Sequence, residues 1–167
     1  MEKIPHKLCP GCGLNLPASE ALADPRANAS PECWQLYGEL TAYTVTRGDL
    51  AFIHQHLVDA YAAQHAGGSS KPIGVAFGLI GLYLACEKGY TGRQVQHMHM
   101  LLANRSKHWP TFTPPQHTGG LTVQDALRTL PGDERDAMLM RWAASVWDVW
   151  SAEHERIKAL ITSVLDE

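Results

Sequence analysis

Positive charge is not in excess in this sequence, and charge of either sign is modest. The 167 residues include 14 lysines and arginines against 17 aspartates and glutamates, which gives a formal net charge of −3. A protein held to nucleic acid by phosphate contacts usually carries a basic surplus, so we expect no nucleic-acid partner. Intrinsic disorder is excluded as well, because 45% of the residues are hydrophobic and the net charge is low.

A long apolar run is also missing. The longest uncharged, mostly apolar stretch covers the fourteen residues 73–86, whereas a membrane-spanning helix needs about 20 residues. This stretch predicts a buried core helix, and we expect no membrane partner. No apolar segment follows the first lysines, so we expect no signal peptide and predict a cytoplasmic location. In that reducing compartment, the four cysteines are expected to be free of disulfides.

Alternation of apolar and polar residues is nearly absent, apart from a short ribbon expected around the first cysteines. Helix start and stop signals recur instead, beginning with Ser30-Pro31. We predict an all-α fold, a helical bundle of five or six helices with an N-terminal zinc-knuckle arm. Residues 1–30 form the arm, packed on a bundle over residues 31–167, in a single domain overall. The predicted helices cover residues 31–44, 49–66, 72–88, 91–104, 122–130 and 133–165, with a bend or break in the last.

One stripe of the predicted 72–88 helix consists of small residues. Gly74, Gly78, Gly81 and Ala85 fall on this stripe at 100° per residue. Small side chains let a neighbouring helix approach closely. Glycine inside a helix costs up to about 1 kcal/mol relative to alanine, so close packing is the expected compensation. The stripe predicts that this helix lies at the centre of the bundle.

Two cysteines in a Pro-Gly turn, Cys9 and Cys12, are the most specific local signal. Their C-x2-C spacing is typical of a zinc knuckle, in which both sulfurs share one tetrahedral ion. Cys33 lies at the start of the first predicted helix, where the helix N-terminus favours the thiolate that a metal requires. A thioredoxin-like redox dithiol would need a βαβ context, which is absent, and unliganded thiols are the other alternative. Cys86 is expected to be a buried thiol.

The fourth ligand can be inferred from a predicted helical hairpin. The first two helices are joined near Arg47-Gly48 and should run antiparallel. Reflecting Cys33 across that turn leads to about position 62, so His65 lies within roughly one helical turn of Cys33. We therefore predict a Zn²⁺ site formed by Cys9, Cys12, Cys33 and His65. The weaker candidates for the fourth position are His54, His6 and His154.

The fourth position decides between two functions. A Cys3His site is closed and structural, whereas three cysteines with water or substrate would form an open, catalytic site. We expect the structural site, in a zinc-binding protein with an unidentified small-molecule or protein partner. The alternative is a metal-dependent hydrolase or transferase whose pocket is lined by His54, Asp59, Tyr61 and His154.

In that enzyme, Asp59 or His54 would act as general base and Tyr61 as a hydrogen-bond donor. The proline-rich loop over residues 104–120 would act as a lid. His56 precedes Asp59 by three residues, and such a pair can chelate a metal or form a hydrogen-bonded dyad. The alternative is that Asp59 and the histidines only satisfy one another or buried backbone groups.

Four motifs distributed over nearly the whole chain resemble those of an uncharacterised bacterial family, a domain of unknown function. They are CPGCG at residues 9–13, SPECW at 30–34, His54 with VDAYAAQH at 58–65, and Trp147, Trp150 and His154. Ala63 stands where the family pattern has valine. The resemblance implies no activity, but it favours Asp59, Tyr61, Gln64 and His65 as site residues.

Overall fold

Side-chain caps mark the starts of three helices, at Ser30, Thr91 and Thr122. The computed structural model describes residues 4–166, and in it the Ser30 hydroxyl accepts a hydrogen bond from the Cys33 amide while Pro31 takes the first helical position. Thr91 and Thr122 each form a capping box. The helices in this part of the chain are α1 (Pro31–Arg47), α2 (His54–Gln64), α3 (Pro72–Lys88), α4 (Gly92–Arg105), α5 (Val123–Arg128), α6 (Asp133–Val149) and α7 (His154–Asp166). The predicted all-α class is confirmed, but residues 4–166 contain seven α-helices rather than the predicted five or six, because the last predicted helix is divided in two.

The second helix begins later than predicted, and the start at residue 49 is wrong. The Asp49 carboxylate accepts a hydrogen bond from the Ile53 amide at 3.0 Å, which holds residues 49–53 as turns. Phe52 has a φ of 56°, a left-handed conformation that cannot continue a right-handed helix. The predicted break in the last helix is confirmed, since a 3-10 turn at Ser151–Glu153 separates α6 from α7.

A short ribbon precedes the helices, as expected. Strands β1 (His6–Leu8) and β2 (Asn15–Pro17) pair antiparallel, with His6 opposite Pro17 and Leu8 opposite Asn15. The turn between them contains Cys9 and Cys12. The division into an arm over residues 1–30 and a bundle over residues 31–167 stays a prediction.

Helix α3 contacts α2, α4, α6 and α7, and α2 contacts as many helices, so these two helices lie together at the centre of the bundle. Two of the glycines of α3 face α2: a Cβ atom at Gly78 would lie 2.9 Å from the Asp59 carbonyl oxygen, and one at Gly81 would collide with the Asp59 carboxyl group. The predicted close helix approach is therefore confirmed at Gly78 and Gly81, whereas Gly74 faces open space. No helix described between residues 4 and 166 is long and apolar enough to cross a membrane.

The contrast between Gly81 and Gly74 gives a matched test of this packing. Gly81→Ala should lower the free energy of unfolding by about 1–3 kcal/mol, because the added methyl group overpacks the contact with Asp59. At Gly74 the added methyl group would contact no neighbour. Gly74→Ala should therefore raise the free energy of unfolding by up to about 1 kcal/mol through helix propensity. Urea denaturation of both variants measures the difference. Equal effects at the two positions would contradict the close α2–α3 contact.

Candidate metal centre

Three cysteines and one histidine, distant in sequence, meet at one buried corner. Among residues 4–166, possible ligand atoms of Cys9, Cys12, Cys33 and His65 all lie within 4.8 Å of one another. The Sγ atoms of Cys12 and Cys33 are 3.7 Å apart, and His65 Nε2 lies 3.4 Å from Cys33 Sγ. None of the four residues is more than 5% exposed, and the three cysteines are not in disulfides. The structure thus brings together the four residues that the sequence predicted as ligands.

The turn between the strands places Cys9 and Cys12 in this cluster. The Cys9 amide donates to the Leu14 carbonyl oxygen at 2.7 Å, and the Gly13 amide donates to the Cys9 carbonyl oxygen at 3.0 Å. Gly13 has a φ of 78°, a conformation that costs little for glycine alone. The sequence C-P-G-C-G therefore closes a tight turn.

Helices α1 and α2 supply the other two residues because they run antiparallel. Cys33 lies in the first turn of α1, and His65 directly follows α2, so their contact joins the start of one helix to the end of the other. At the opposite ends, Thr44 Oγ1 and His54 Nδ1 are 2.9 Å apart. The hairpin predicted from the sequence is confirmed by this pair of contacts.

Gly11 allows the His65 ring to reach the cysteine turn. A Cβ atom at residue 11 would lie 2.8 Å from His65 Cγ and 2.5 Å from the Asn28 carbonyl oxygen. Any larger residue would push the ring away from the sulfurs. From the sequence, Gly11 was expected to serve the turn alone; its position between the two cysteines was the one indication of this further role.

The tautomer of a neutral His65 ring follows from its hydrogen bond to the backbone. His65 Nδ1 lies 2.9 Å from the Tyr61 carbonyl oxygen. Because a carbonyl oxygen can only accept, Nδ1 carries the hydrogen atom, and in the neutral imidazole the lone pair is then on Nε2. That lone pair is on the nitrogen nearest Cys33 Sγ, which is the arrangement that a metal ligand needs.

The Tyr61 side chain contacts the cluster as well. Its hydroxyl oxygen lies 3.4 Å from Cys33 Sγ, and its ring stacks on the His65 ring at a centroid distance of 3.8 Å. Burial and the neighbouring Cys33 raise the pKa of Tyr61. The hydroxyl group therefore keeps its proton and is able to donate a hydrogen bond to the sulfur. Tyr61 was predicted as a hydrogen-bond donor in a catalytic pocket, and here its hydroxyl group lies within hydrogen-bond distance of a candidate metal ligand.

The thiols compete for negative charge. Hydrogen bonds from Cys12 and Cys33 lower the pKa of Cys9. Hydrogen bonds with Cys12 and Cys9, together with burial, raise the pKa of Cys33. Three adjacent sulfurs therefore hold one negative charge readily, and a cation is needed to keep all three as thiolates.

Glu32 joins the N-terminal segment to α1 beside the cluster. Its side chain is 6% exposed and accepts a hydrogen bond from the Ser19 amide at 2.8 Å, while Lys7 Nζ lies 3.9 Å away. No pattern in the sequence indicated this role. An acidic residue in the first turn of a helix is ordinarily explained by the helix dipole.

Part of the predicted loop over residues 104–120 packs against the same corner. The Thr118 hydroxyl donates to the Cys12 carbonyl oxygen at 3.1 Å, and Gln64 Nε2 donates to the Thr118 carbonyl oxygen at 2.8 Å. Trp142 Nε1 donates to Gln64 Oε1 at 3.0 Å. The loop also lines a cavity of about 180 Å³, together with Gly11, Gln64 and residues around them. Its role as a lid stays a prediction.

The remaining candidates lie in separate surroundings. His54 contacts Thr44, and the His154 ring stacks on Trp147 at 3.7 Å while its Nε2 lies 2.8 Å from the Trp147 carbonyl oxygen. His6 is exposed in β1. Four residues were proposed for a catalytic pocket. Within residues 4–166, Tyr61 is the one of these four whose side chain lies within hydrogen-bond distance of the cysteine cluster.

Asp59, the fourth of those residues, is buried against α3. Its Oδ1 accepts a hydrogen bond from Gln55 Nε2 at 3.0 Å, while Oδ2 has no hydrogen-bond partner among the described residues. His56 Nδ1 is likewise unpartnered there, so the predicted His56–Asp59 dyad is not formed. Burial raises the pKa of Asp59 well above its ordinary value, against the opposing effect of Gln55.

Cys86 departs from its expected burial. The side chain is half-buried rather than fully buried. Burial still raises the pKa of its thiol to about 11. A neutral thiol at this position is not expected to bind a metal.

The fold and the corner site together define a mostly helical protein with a candidate Cys3His metal centre. A model of the family of unknown function DUF5946 matches residues 7–151, and the chain belongs to that family. The resemblance to a domain of unknown function is therefore confirmed. No curated protein and no solved structure matches the chain.

The raised pKa of Asp59 predicts a specific pH dependence of stability. In the unfolded chain the carboxyl group ionises near pH 4, while in the folded protein it keeps its proton to a higher pH. Its contribution to stability is therefore fully present below about pH 4 and is lost as the pH rises toward the folded pKa, by about 1.4 kcal/mol per unit of pKa shift. Asp59→Asn, uncharged at every pH, should be more stable than the wild type at neutral pH.

Urea denaturation at several pH values measures this difference, which should grow from about pH 4 upward. The same substitution at the exposed Asp148 is the control and should produce no such growth. A constant difference between Asp59→Asn and the wild type would show that the carboxyl group is not held neutral by burial.

Proposed function

We propose that this protein binds one zinc ion through Cys9, Cys12, Cys33 and His65 Nε2, and that the ion is structural. The observation that carries the proposal is the convergence of four buried donor atoms within 4.8 Å. The four residues come from three separate parts of the chain: the cysteine turn, the start of α1 and the end of α2. Hydrophobic burial alone gives no reason for three thiols and an imidazole to meet.

The spacing and chemistry of the donors favour zinc. With Zn–S near 2.3 Å and Zn–N near 2.0–2.1 Å, a tetrahedral site has S···S edges of about 3.8 Å and S···N edges of about 3.5 Å. The Cys12–Cys33 and Cys33–His65 separations of 3.7 and 3.4 Å agree with these edges. Thiolate and imidazole donors in a tetrahedron are typical of zinc among the divalent metals.

A closed coordination shell supports a structural role. Four protein ligands fill a tetrahedron, so no position is left for water or substrate. The ligands are nearly inaccessible to solvent, with Cys9 at 1% and Cys33 at 0% exposure. The metal would fasten the β1–β2 ribbon to the hairpin of α1 and α2, next to the Glu32–Ser19 hydrogen bond. Reduced thiols, which this site requires, agree with the predicted cytoplasmic location.

Replacement of His65 tests the fourth ligand. Purified wild-type protein should contain one zinc per chain, and His65→Ala should lower zinc affinity and thermal stability together, because one coordination bond is lost. His54→Ala removes a histidine at the other end of the same helix and should retain wild-type zinc affinity. Elemental analysis, chelator competition and thermal unfolding measure these quantities. Metal-free wild-type protein with freely titrating thiols would overturn the proposal.

Cobalt substitution distinguishes a closed site from an open one. The wild-type Co²⁺ spectrum should be tetrahedral and unchanged by added imidazole or small thiols, since no position is open. His65→Ala opens one position, and its spectrum should respond to added imidazole, which takes the place of the lost side chain. A wild-type spectrum that shifts with added ligands would instead favour a catalytic site.

A further inference from the structure

We infer that Tyr61 is the positioning residue of the metal centre: its carbonyl group orients the His65 ring, and its hydroxyl group donates a hydrogen bond to the Cys33 sulfur. The inference rests on the zinc site proposed above. It assigns to one residue the control of two of the four ligands. The two contacts are the 2.9 Å distance from His65 Nδ1 to the Tyr61 carbonyl oxygen and the 3.4 Å distance from the Tyr61 hydroxyl to Cys33 Sγ.

The carbonyl contact follows from helix geometry. Residues 61 and 65 are four apart, so the His65 side chain lies one turn beyond the Tyr61 carbonyl group at the end of α2. A carbonyl oxygen has two lone pairs, so one that accepts from a helix amide can accept a second hydrogen bond. The Tyr61 carbonyl oxygen accepts from the His65 amide at 3.0 Å and from the ring Nδ1 as well. A metal-bound histidine commonly donates its other ring N–H in this way, which fixes the ring orientation.

The hydroxyl contact is fixed by ring packing. The Tyr61 ring is held between Tyr37, at a centroid distance of 4.2 Å, and His65, at 3.8 Å. Trp34 continues the stack, 5.0 Å from Tyr37. With the ring at 4% exposure and packed on both faces, its hydroxyl group has little freedom to turn away from Cys33.

A hydrogen bond to this sulfur would stabilise the negative charge of a three-thiolate site. Three thiolates and a neutral imidazole around a divalent cation leave one net negative charge in a buried environment. Donation by Tyr61 places partial positive charge beside one sulfur and offsets part of the desolvation cost. It also lowers the energy of the sulfur lone pairs, which changes the electronic spectrum of a bound transition metal.

Tyr61→Phe tests the inference because it keeps the ring stack and removes the hydroxyl group. The variant should bind one zinc per chain with an affinity lowered by about 10-fold, as expected for loss of a group that supports a ligand. In the Co²⁺ form, the sulfur-to-cobalt charge-transfer band should move to lower energy, since the lone pairs are no longer stabilised. A simple loss of packing would not shift this band in a fixed direction.

Tyr37→Phe is the matched control, because it removes a hydroxyl group from the next ring of the same stack. It should keep the wild-type zinc affinity and Co²⁺ band. If Tyr61→Phe matches the wild type in both measurements, or if Tyr37→Phe shifts the band equally, the inference is overturned.

A measurement on the unmodified chain avoids dependence on the variant's folding. In the ¹¹³Cd²⁺ form, NMR should detect a slowly exchanging Tyr61 hydroxyl proton with scalar coupling to the metal through Cys33 Sγ. Absence of that coupling would contradict the hydrogen bond. Suppose that the wild type binds zinc, that His65→Ala loses this binding, and that Tyr61→Phe keeps the wild-type zinc affinity and Co²⁺ band. That result would refute this inference and leave the proposed function standing. Wild-type protein without zinc would refute it together with the proposed function.

Discussion

The antiparallel contact between α1 and α2 is the constraint on which the rest of the N-terminal corner depends. It brings the first turn of α1 to the last turn of α2, so that Cys33 and His65 meet although they are far apart in the chain. The β1–β2 turn can then contribute Cys9 and Cys12 to a cluster that already has two members. Because Gly11 leaves room for the imidazole edge, the ribbon and the helical hairpin share one packed surface.

The same helix α2 carries a second constraint on its opposite side. Gly78 and Gly81 let α3 approach so closely that the Asp59 carboxyl group lies against helix backbone, away from water. A charged carboxylate would be costly there, which explains the raised pKa. One face of α2 thus serves the candidate metal centre and another serves the tightest helix contact, and the two faces share no hydrogen-bonded side chain.

Sequence patterns predicted the helical class, most helix ends and the small-residue contact, since caps, glycines and spacing act over a few residues. They failed at the start of α2, where the left-handed Phe52 interrupts a pattern that looked continuous. The predicted contact of His65 with Cys33 is nevertheless confirmed, because α1 and α2 still run antiparallel. Glu32 and Gly11 were missed because their partners, Ser19 and His65, are remote in sequence.

The sequence by itself determined the chemistry available at the site: a C-x2-C turn, a cysteine at a helix start and a histidine at a helix end. It also determined the membership in a family of unknown function, which covers residues 7–151. The tertiary structure decided which histidine joins the cysteines, since His54 and His154 are held by Thr44 and Trp147. That choice depends on packing between distant segments, because local propensity fixes where a helix ends but not which side chains its end will meet.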